Sequence, residues 1–221
     1  MQGMHIDIVS DTICPWCFIG KRRLEAAIEF KPELEFTVRW RPYRLDPTVP
    51  RHGVDRKAYL RAKFGDEANR GETERSLRLL GEKAGIAFAF EKISRLPNTL
   101  DSHRLIRWAA AVDLQDGVVE ALFSAYFEDG RDIGDPAVLE LVGVGAGMDT
   151  DLVRDLLASN ADVEEIERED AFAHQLGITG VPTFIFDNKY MISGAQEAEA
   201  LVEVIEKVED EADLENEQQG P

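Results

Sequence analysis

The two cysteines of this 221-residue chain are the residues best suited to chemistry. Cys14 and Cys17 form a C-P-W-C motif close to the start of the sequence. The thiolate of a cysteine is the nucleophile in thiol–disulfide exchange, and a second thiol nearby can attack the mixed disulfide that the first one forms. The pattern therefore predicts a redox-active pair in which Cys14 attacks and Cys17 resolves.

The residues after the motif predict where the first cysteine lies. A helical pattern begins at Pro15 and runs to about Phe30, and proline is favoured at the first helical position because its missing N–H would have no partner there. Cys14 would then be the N-cap residue, beside unpaired N–H groups and the positive end of the helix dipole. We expect this position to stabilise its thiolate. The same helix carries a basic cluster, which we interpret as a solvated face rather than as further thiolate stabilisation: Lys21, Arg22 and Arg23.

Three other roles of the cysteine pair are open at this point. A disulfide across so short a loop would stabilise the fold by only about 2 kcal/mol in the chain-entropy model. A zinc site needs four ligands, but there is no second C-x-x-C motif, and no ligand spacing links the four histidines His5, His52, His103 and His174. Inert core thiols are disfavoured by the proline at the predicted helix start. We therefore predict redox chemistry and no metal site.

Acidic residues dominate the charge of the chain. The 43 acidic and 25 basic residues give a formal net charge of −18, which disfavours nucleic acid and anionic membranes as partners because like charges repel. No apolar stretch approaches the roughly 20 residues of a membrane-spanning helix, and the first residues lack the basic and apolar regions of an export signal. We therefore expect a cytoplasmic protein. The acidity fits either a strongly solvated surface or adaptation to a salty cytoplasm, and both interpretations are open.

The pattern of apolar residues predicts an α/β unit that is interrupted by a long helical block. Alternation and turn signals place strands at 4–10, 35–40, 183–186 and 190–192. The helices of the α/β unit are expected at 15–30 and 196–209. The helices of the block are expected at 54–65, 72–84, 98–114, 117–128, 135–146, 150–159 and 163–176. Residues 86–93 are interpreted as either a short strand or a loop.

This order of elements predicts two domains and a tail. Residues 1–52 and 177–209 would form the α/β domain from a β-α-β half and a β-β-α half. Residues 53–176 would form a helical domain inserted between these halves. Residues 210–221 are polar and acidic, and we expect them to be disordered.

A second segment adds to the cysteine motif. The sequence G-I-T-G-V-P-T-F at 177–184 places a proline directly before an apolar strand. Together with C-P-W-C after a strand and the intervening helices, this arrangement resembles the DsbA family, whose thioredoxin fold carries a helical insertion. Three segments are most similar to the FrnE-type cytoplasmic oxidoreductases of that family, namely 11–17, 98–104 and 193–196. The resemblance covers nearly the whole chain apart from the acidic tail.

The resemblance implies an activity and a substrate surface. The activity would be that of a protein disulfide oxidoreductase or isomerase, with a cis Val181–Pro182 bond packed beside Cys14. The backbone at Val181 would pair with an extended substrate. The expected substrate-binding residues are Pro15, Trp16, Val181, Pro182 and Thr183. Many strong oxidants of this fold carry histidine at the position of Trp16, so the redox potential is left open.

The same resemblance implies which partners the protein would have and which alternative functions are open. The substrates would be thiols or disulfides of proteins or small molecules. Glutathione is a candidate co-substrate, and no other cofactor is expected. The active species would be a monomer or a homodimer. Related 2-hydroxychromene-2-carboxylate isomerases and kappa-class glutathione transferases share the topology, but they carry serine at the position matching Cys14 and lack the second cysteine. A chaperone that holds unfolded chains on Trp16 and Phe18 is a third alternative.

Three other titratable residues have alternative interpretations. Asp11 is a candidate proton shuttle for the resolving thiol, but it could equally cap a turn. Asp7 is either a buried proton acceptor beneath the cysteines or an outward-facing residue at a strand edge, which is the interpretation we favour. His103 is interpreted as a packed or surface histidine rather than as a catalyst.

Overall fold

A four-stranded sheet forms the centre of the α/β part in this computed structural model, which describes residues 3–65 and 67–218. The strands are β1 (Met4–Ser10), β2 (Phe36–Pro42), β3 (Val54–Asp55), β4 (Arg95–Leu96), β5 (Thr183–Phe186) and β6 (Tyr190–Ser193). The main sheet has the order β2-β1-β5-β6, and β3 pairs with β4 in a small separate sheet. The predicted strands are confirmed, although β2 ends two residues later than expected.

The helices confirm the predicted α/β arrangement with a helical insertion. Their bounds are α1 Pro15–Glu29, α2 Arg56–Phe64, α3 Glu67–Lys83, α4 Leu100–Ala110, α5 Gln115–Phe127, α6 Pro136–Gly145, α7 Thr150–Ala158, α8 Val163–Gln175 and α9 Ala198–Gln218. The first helix supplies the crossover that the parallel pair β1–β2 requires. Residues 86–93 are a loop that ends in a 3₁₀ turn at Phe90–Lys92.

The pairing of β1 with β5 brings two distant loops together. The two strands are antiparallel, with Val9 opposite Thr183. The carboxyl end of β1 therefore lies beside the amino end of β5. Because the loop to Cys14 follows β1 and the loop with Val181 precedes β5, both loops meet at one edge of the sheet.

The central strand β1 is buried on both faces. Successive side chains of a strand point to opposite faces, and Ile6 and Ile8 contribute to the main core together with Phe184. Val9 belongs to a second, smaller core with Tyr43, which follows β2, Ala173 of α8 and Ile178. A polar side chain on either face of this strand must therefore find a partner inside the protein.

The helical insertion shares its core with the α/β part. Phe18 of α1 stacks on Phe123 of α5 with ring centroids 5.0 Å apart, and both side chains are fully buried. The sheet and the insertion therefore pack as neighbours around one continuous cluster. The proposed boundaries at 52/53 and 176/177 stay a prediction.

The prediction of a disordered tail is wrong for residues 210–218, which continue α9. Val208 is buried, and the Tyr190 hydroxyl donates a hydrogen bond to Glu211, two residues beyond the expected end of the helix. The hydrogen bond attaches the acidic segment to the β5–β6 hairpin. The polar composition of the segment alone did not predict this helix. Residues 219–221 lie outside the described part. In the residues described, no helix is long and apolar enough to cross a bilayer.

Candidate active site

Cys14 occupies the predicted N-cap of α1. Its backbone is extended (φ −92°, ψ 113°), Pro15 follows at the first helical position, and the first turn contains no acidic residue. The Cys14 N–H donates to the Asp11 carbonyl at 3.0 Å, and the Cys17 N–H donates to the Cys14 carbonyl at 3.0 Å. Both cysteines are free thiols. The positive end of the helix thus faces Cys14 without a neighbouring carboxylate from the first turn to offset it.

The sulfur of Cys14 lies beside the loop that precedes β5. Its thiol donates a weak hydrogen bond to the Val181 carbonyl oxygen, with a sulfur–oxygen distance of 3.5 Å. The Val181–Pro182 bond is cis, as the resemblance implied. Gly20 makes room for this loop, because a Cβ atom at that position would lie 2.8 Å from Cγ of Pro182. The sequence interpretation missed Gly20, although its position one turn after Cys17 could have indicated it.

Cys17 is enclosed by the protein and has no solvent exposure. Burial raises the pKa of its thiol well above the ordinary value, and the hydrogen bond and charge of Cys14 raise it further. Hydrogen bonds from the Ser10 side chain and the Asp11 backbone act in the opposite direction but do not outweigh burial. Cys17 is therefore held as a neutral thiol, which suits a residue that attacks only after a mixed disulfide has formed.

The predicted substrate surface is accessible in part. Trp16 is the most exposed member, with 37% of its surface open to solvent, and Pro15 and Val181 are half-buried. Pro182 is buried next to α1. Thr183 is fully buried, and its hydroxyl donates to the Gly180 carbonyl at 2.9 Å. The Thr183 side chain supports the loop from within, and the predicted substrate-binding role of Thr183 stays a prediction.

Asp11 is completely buried beside the cysteines. One carboxylate oxygen, Oδ2, accepts a hydrogen bond from the Leu45 N–H at 2.7 Å. The other, Oδ1, is the one buried side-chain polar atom in the described residues that has no hydrogen-bond partner. Nε2 of His103 lies 3.5 Å from it. His103 is packed, as expected, and Nε2 is also 3.2 Å from the Tyr43 carbonyl oxygen.

Asp7 is buried rather than outward-facing, so the favoured interpretation is wrong. The Arg39 guanidinium donates to both carboxylate oxygens, at 2.7 and 3.1 Å. Burial by itself would raise the pKa of Asp7, but the hydrogen bonds and charge of Arg39, with help from Arg41, hold it below the usual range. Asp7 also lies on the face of β1 opposite Ile6 and Ile8. Asp7 therefore forms a structural ion pair with Arg39 and is not a proton acceptor for the cysteines.

The basic cluster of α1 is engaged by carboxylates of α1, α5 and the segment before α9. Lys21 is buried, which contradicts the prediction of a solvated face, and its Nζ lies 3.0 Å from Oδ2 of Asp116. Arg22 pairs with Glu120, and Arg23 with Glu197. These charges fasten α1 to its neighbours. Phe18 is likewise buried in the core, so it offers no surface to an unfolded chain.

A cavity of about 460 Å³ lies between β2, α4 and α8, away from the cysteines. Its walls include Arg39, Arg107 and Glu169, which pair with neighbouring charges. His103 also lines this cavity. Within the described part of the chain, no cluster of three or more metal-ligating side chains is present.

Comparison with known families decides the assignment. The DSBA-like thioredoxin domain matches residues 5–206. The chain belongs to this family. The match agrees with the thioredoxin fold and helical insertion of the structure, in which Cys14 and Cys17 lie at the start of α1.

Two similar proteins and one similar fold extend this result. YwbO of Bacillus subtilis (strain 168) is 28% identical over 195 residues, which cover 87% of this chain and 90% of YwbO. The crystal structure of the probable DsbA oxidoreductase SCO1869 from Streptomyces coelicolor is 31% identical, with a TM-score of 0.84 over 92% of this chain and 89% of that one. The cytosolic disulfide reductase DsbM from Pseudomonas aeruginosa with GSH is 18% identical, with a TM-score of 0.58 over 86% and 89% of the two chains. That likeness concerns the fold alone.

Proposed function

We propose that this protein is a thiol–disulfide oxidoreductase or isomerase that acts through its C-P-W-C centre. The observation that carries the proposal is the position of the Cys14 sulfur, at the start of α1 and 3.5 Å from the Val181 carbonyl oxygen. A sulfur at this place has a helix terminus to stabilise its thiolate and an adjacent backbone to align a substrate. Membership of the DSBA-like family supports the same activity.

The reduction of a substrate disulfide would take two steps. The Cys14 thiolate attacks one substrate sulfur, the substrate S–S bond breaks, and a mixed disulfide forms as the first substrate thiolate leaves. Cys17 then loses its proton and attacks the Cys14 sulfur, which releases the second substrate thiolate and leaves a Cys14–Cys17 disulfide. The substrate gains two electrons from the dithiol. An external thiol such as glutathione returns them, and the reverse sequence would oxidise a substrate dithiol.

The second step needs a group that accepts the Cys17 proton. Cys17 has no solvent exposure and a raised pKa, so bulk water reaches its thiol poorly. Asp11 is the nearest carboxylate along the chain, its carbonyl oxygen accepts a hydrogen bond from the Cys14 N–H, and its buried side chain keeps one oxygen without a hydrogen bond. We assign Asp11 as the proton shuttle of the proposed mechanism.

The substrate would bind across Trp16 and the loop at 181–182. Trp16 offers an exposed aromatic face, and the half-buried Val181 lies at the end of the loop that touches Cys14. An extended segment of a protein, or a small disulfide, would fit this surface. We place the activity in the cytoplasm and take glutathione as a candidate electron donor, since DsbM is named as a cytosolic disulfide reductase and its structure contains GSH.

A glutathione-dependent isomerase or transferase is the second candidate function. The GSH in the DsbM structure favours a glutathione site in this fold. The intact cysteine pair disfavours a mechanism that needs only one group at position 14. The disulfide oxidoreductase and the glutathione-dependent enzyme can be distinguished by their dependence on Cys17, because only the dithiol mechanism requires this residue.

The test is the reduction of insulin with dithiothreitol as electron donor. The wild type should accelerate precipitation of the insulin B chain, Cys14→Ser should abolish the effect, and Cys17→Ser should stop turnover and accumulate a mixed disulfide with substrate. Mass spectrometry locates that disulfide at Cys14. Absence of insulin reduction by the wild type, or full activity of Cys17→Ser, would overturn the proposal. Full activity of Cys17→Ser together with tight glutathione binding would favour the glutathione-dependent isomerase or transferase.

A further inference from the structure

The helical insertion contacts the loop before the cysteines through a hydrogen bond between two buried hydroxyl groups. Oγ1 of Thr12 lies 2.8 Å from Oγ of Ser102 on α4, although 90 positions separate the two residues in the chain. Thr12 is 2% exposed and Ser102 is 0% exposed. The steps of the proposed exchange assign no role to either hydroxyl.

The hydrogens of this pair have one arrangement in which each of them finds an acceptor. Ser102 Oγ donates to the Thr99 carbonyl oxygen at 2.8 Å, and a carbonyl oxygen only accepts. A serine hydroxyl has a single hydrogen, so Thr12 must donate to Ser102. The Thr99 carbonyl also accepts a backbone hydrogen bond from the His103 N–H at 3.0 Å. Ser102 is thereby held against the first turn of α4 while it accepts from Thr12.

Thr12 lies in the turn that carries the chain from β1 to Cys14. The Cys14 N–H donates to the Asp11 carbonyl at 3.0 Å, which closes a four-residue turn with Thr12 and Ile13 at its centre. Ile13 packs against the main core. The turn is therefore held by apolar packing at Ile13 and by the hydrogen bond of Thr12 to Ser102. Because it ends at the N-cap of α1, its position determines where Cys14 lies.

The start of α4 is itself firmly attached to its surroundings. Asn98, just before the helix, donates from Nδ2 to the Val49 carbonyl at 2.5 Å. Arg104 is fully buried, and its Nε donates to the Ala161 carbonyl at 2.6 Å. Buried polar groups whose hydrogen bonds are satisfied make a structure rigid. The helix therefore presents Ser102 to the turn from a fixed position.

We propose that Ser102 is a positioning residue of the redox centre. Through Thr12 it holds the turn at 11–14, which keeps the Cys14 sulfur at the start of α1 and 3.5 Å from the Val181 carbonyl oxygen. Loss of this hydrogen bond lets the turn shift, and Cys14 then loses part of the stabilisation that its thiolate receives from the helix terminus. The proposal rests on the proposed function for its biological meaning.

The test is the rate at which Cys14 attacks dithiodipyridine, an uncharged aromatic disulfide, at one fixed pH in a Cys17→Ser background. The thiolate attacks one sulfur, the S–S bond of the reagent breaks, a mixed disulfide forms at Cys14, and the absorbance of the released thiopyridone is measured. Ser102→Ala should lower this rate by about fivefold, because displacement of a reacting group slows its reaction. Thr12→Val should lower the rate by a similar factor. Thr12→Ser keeps the hydroxyl and should retain most of the original rate.

The double variant shows whether the two side chains act through their shared hydrogen bond. Ser102→Ala combined with Thr12→Val should lower the rate by about fivefold, and not by the roughly twenty-five-fold that two independent effects would give. The proposal is wrong if the two effects multiply, if either single variant keeps the original rate, or if Thr12→Ser is as slow as Thr12→Val.

A substitution elsewhere on α4 separates positioning from a general loss of stability. Leu105 is fully buried, so Leu105→Ala should lower the melting temperature. It should leave the rate unchanged at a temperature at which circular dichroism shows every variant to be folded. An equal fall in rate for Leu105→Ala would overturn the proposal. A protein that reacts with dithiodipyridine but does not reduce insulin would refute the proposed function and leave this cycle interpretable.

Discussion

The sulfur of Cys14 lies 3.5 Å from the carbonyl oxygen of Val181, although 167 positions separate the two residues in the chain. The contact exists because β1 and β5 are antiparallel neighbours, with Val9 opposite Thr183. The sheet therefore places a nucleophilic thiol and a backbone edge next to each other at one rim. The proposed binding of an extended substrate beside Cys14 depends on this pairing.

Gly20 controls how closely that rim can pack. We expect Gly20→Ala to destabilise the protein by about 1–3 kcal/mol, the usual cost of overpacking, and to lower disulfide exchange, because the new Cβ would lie 2.8 Å from Pro182. Gly117 is the matched control, since a Cβ at this position in α5 meets no atom within 4 Å. Gly117→Ala should stabilise by about 0.5–1 kcal/mol. Chemical denaturation measures both, and equal effects of the two substitutions would contradict the packing argument.

Trp16 should contribute to substrate binding rather than to the chemistry of the thiol. Trp is enriched among the minority of interface residues whose truncation costs more than about 1 kcal/mol, so Trp16→Ala should raise the KM for a protein disulfide by about fivefold. The rate of Cys14 alkylation by a small reagent should not fall. Phe172 on α8, with 53% exposure, is the control, and Phe172→Ala should leave the KM unchanged. An unchanged KM in Trp16→Ala would remove this side chain from the substrate surface.

The Asp7–Arg39 pair should make stability depend on pH in the acid range. Arg39 holds the pKa of Asp7 below its usual value, so the pair stabilises the fold above the unfolded-state pKa, and this contribution is lost as pH falls through the folded-state pKa. We expect Asp7→Asn to cost about 1–2 kcal/mol at pH 7, less than a fully buried pair because Arg39 is partly exposed. The difference from wild type should shrink towards pH 3.

Urea denaturation at several pH values checks this expectation. Asp151→Asn is a suitable comparison, because the Asp151 side chain is 88% exposed, and its effect should stay within about 0.5 kcal/mol at every pH. A cost for Asp7→Asn that is the same at pH 7 and pH 3 would show that packing, not charge, explains the loss.

Local sequence signals were sufficient for the elements that carry the cysteines. Pro15 fixes the start of α1 through the geometry of proline, and that placed Cys14 at the N-cap. The apolar run after Pro182 identified β5. These features depend on residues within one turn or one strand, so a single sequence contains their cause.

The errors concern side chains whose partners come from elsewhere in the fold. Asp7 is buried because Arg39 on the neighbouring strand neutralises it, and Lys21 because Asp116 arrives from the insertion. His103 meets Asp11 only once α4 has packed against the loop after β1. No local pattern encodes such pairings, since each depends on how distant elements pack.

The most direct test of the central claim is the rate of Cys14 alkylation at one fixed pH, followed by mass spectrometry of the peptide that contains it. The thiolate is the species that reacts. Because the start of α1 favours that form, Cys14 should react faster in the folded protein than in the same chain unfolded in urea at the same pH. Cys17, which has no solvent exposure, should react far more slowly in the folded protein and serves as the internal control. Slower alkylation of Cys14 in the folded protein than in the unfolded chain, or alkylation of folded Cys17 as fast as Cys14, would contradict the account.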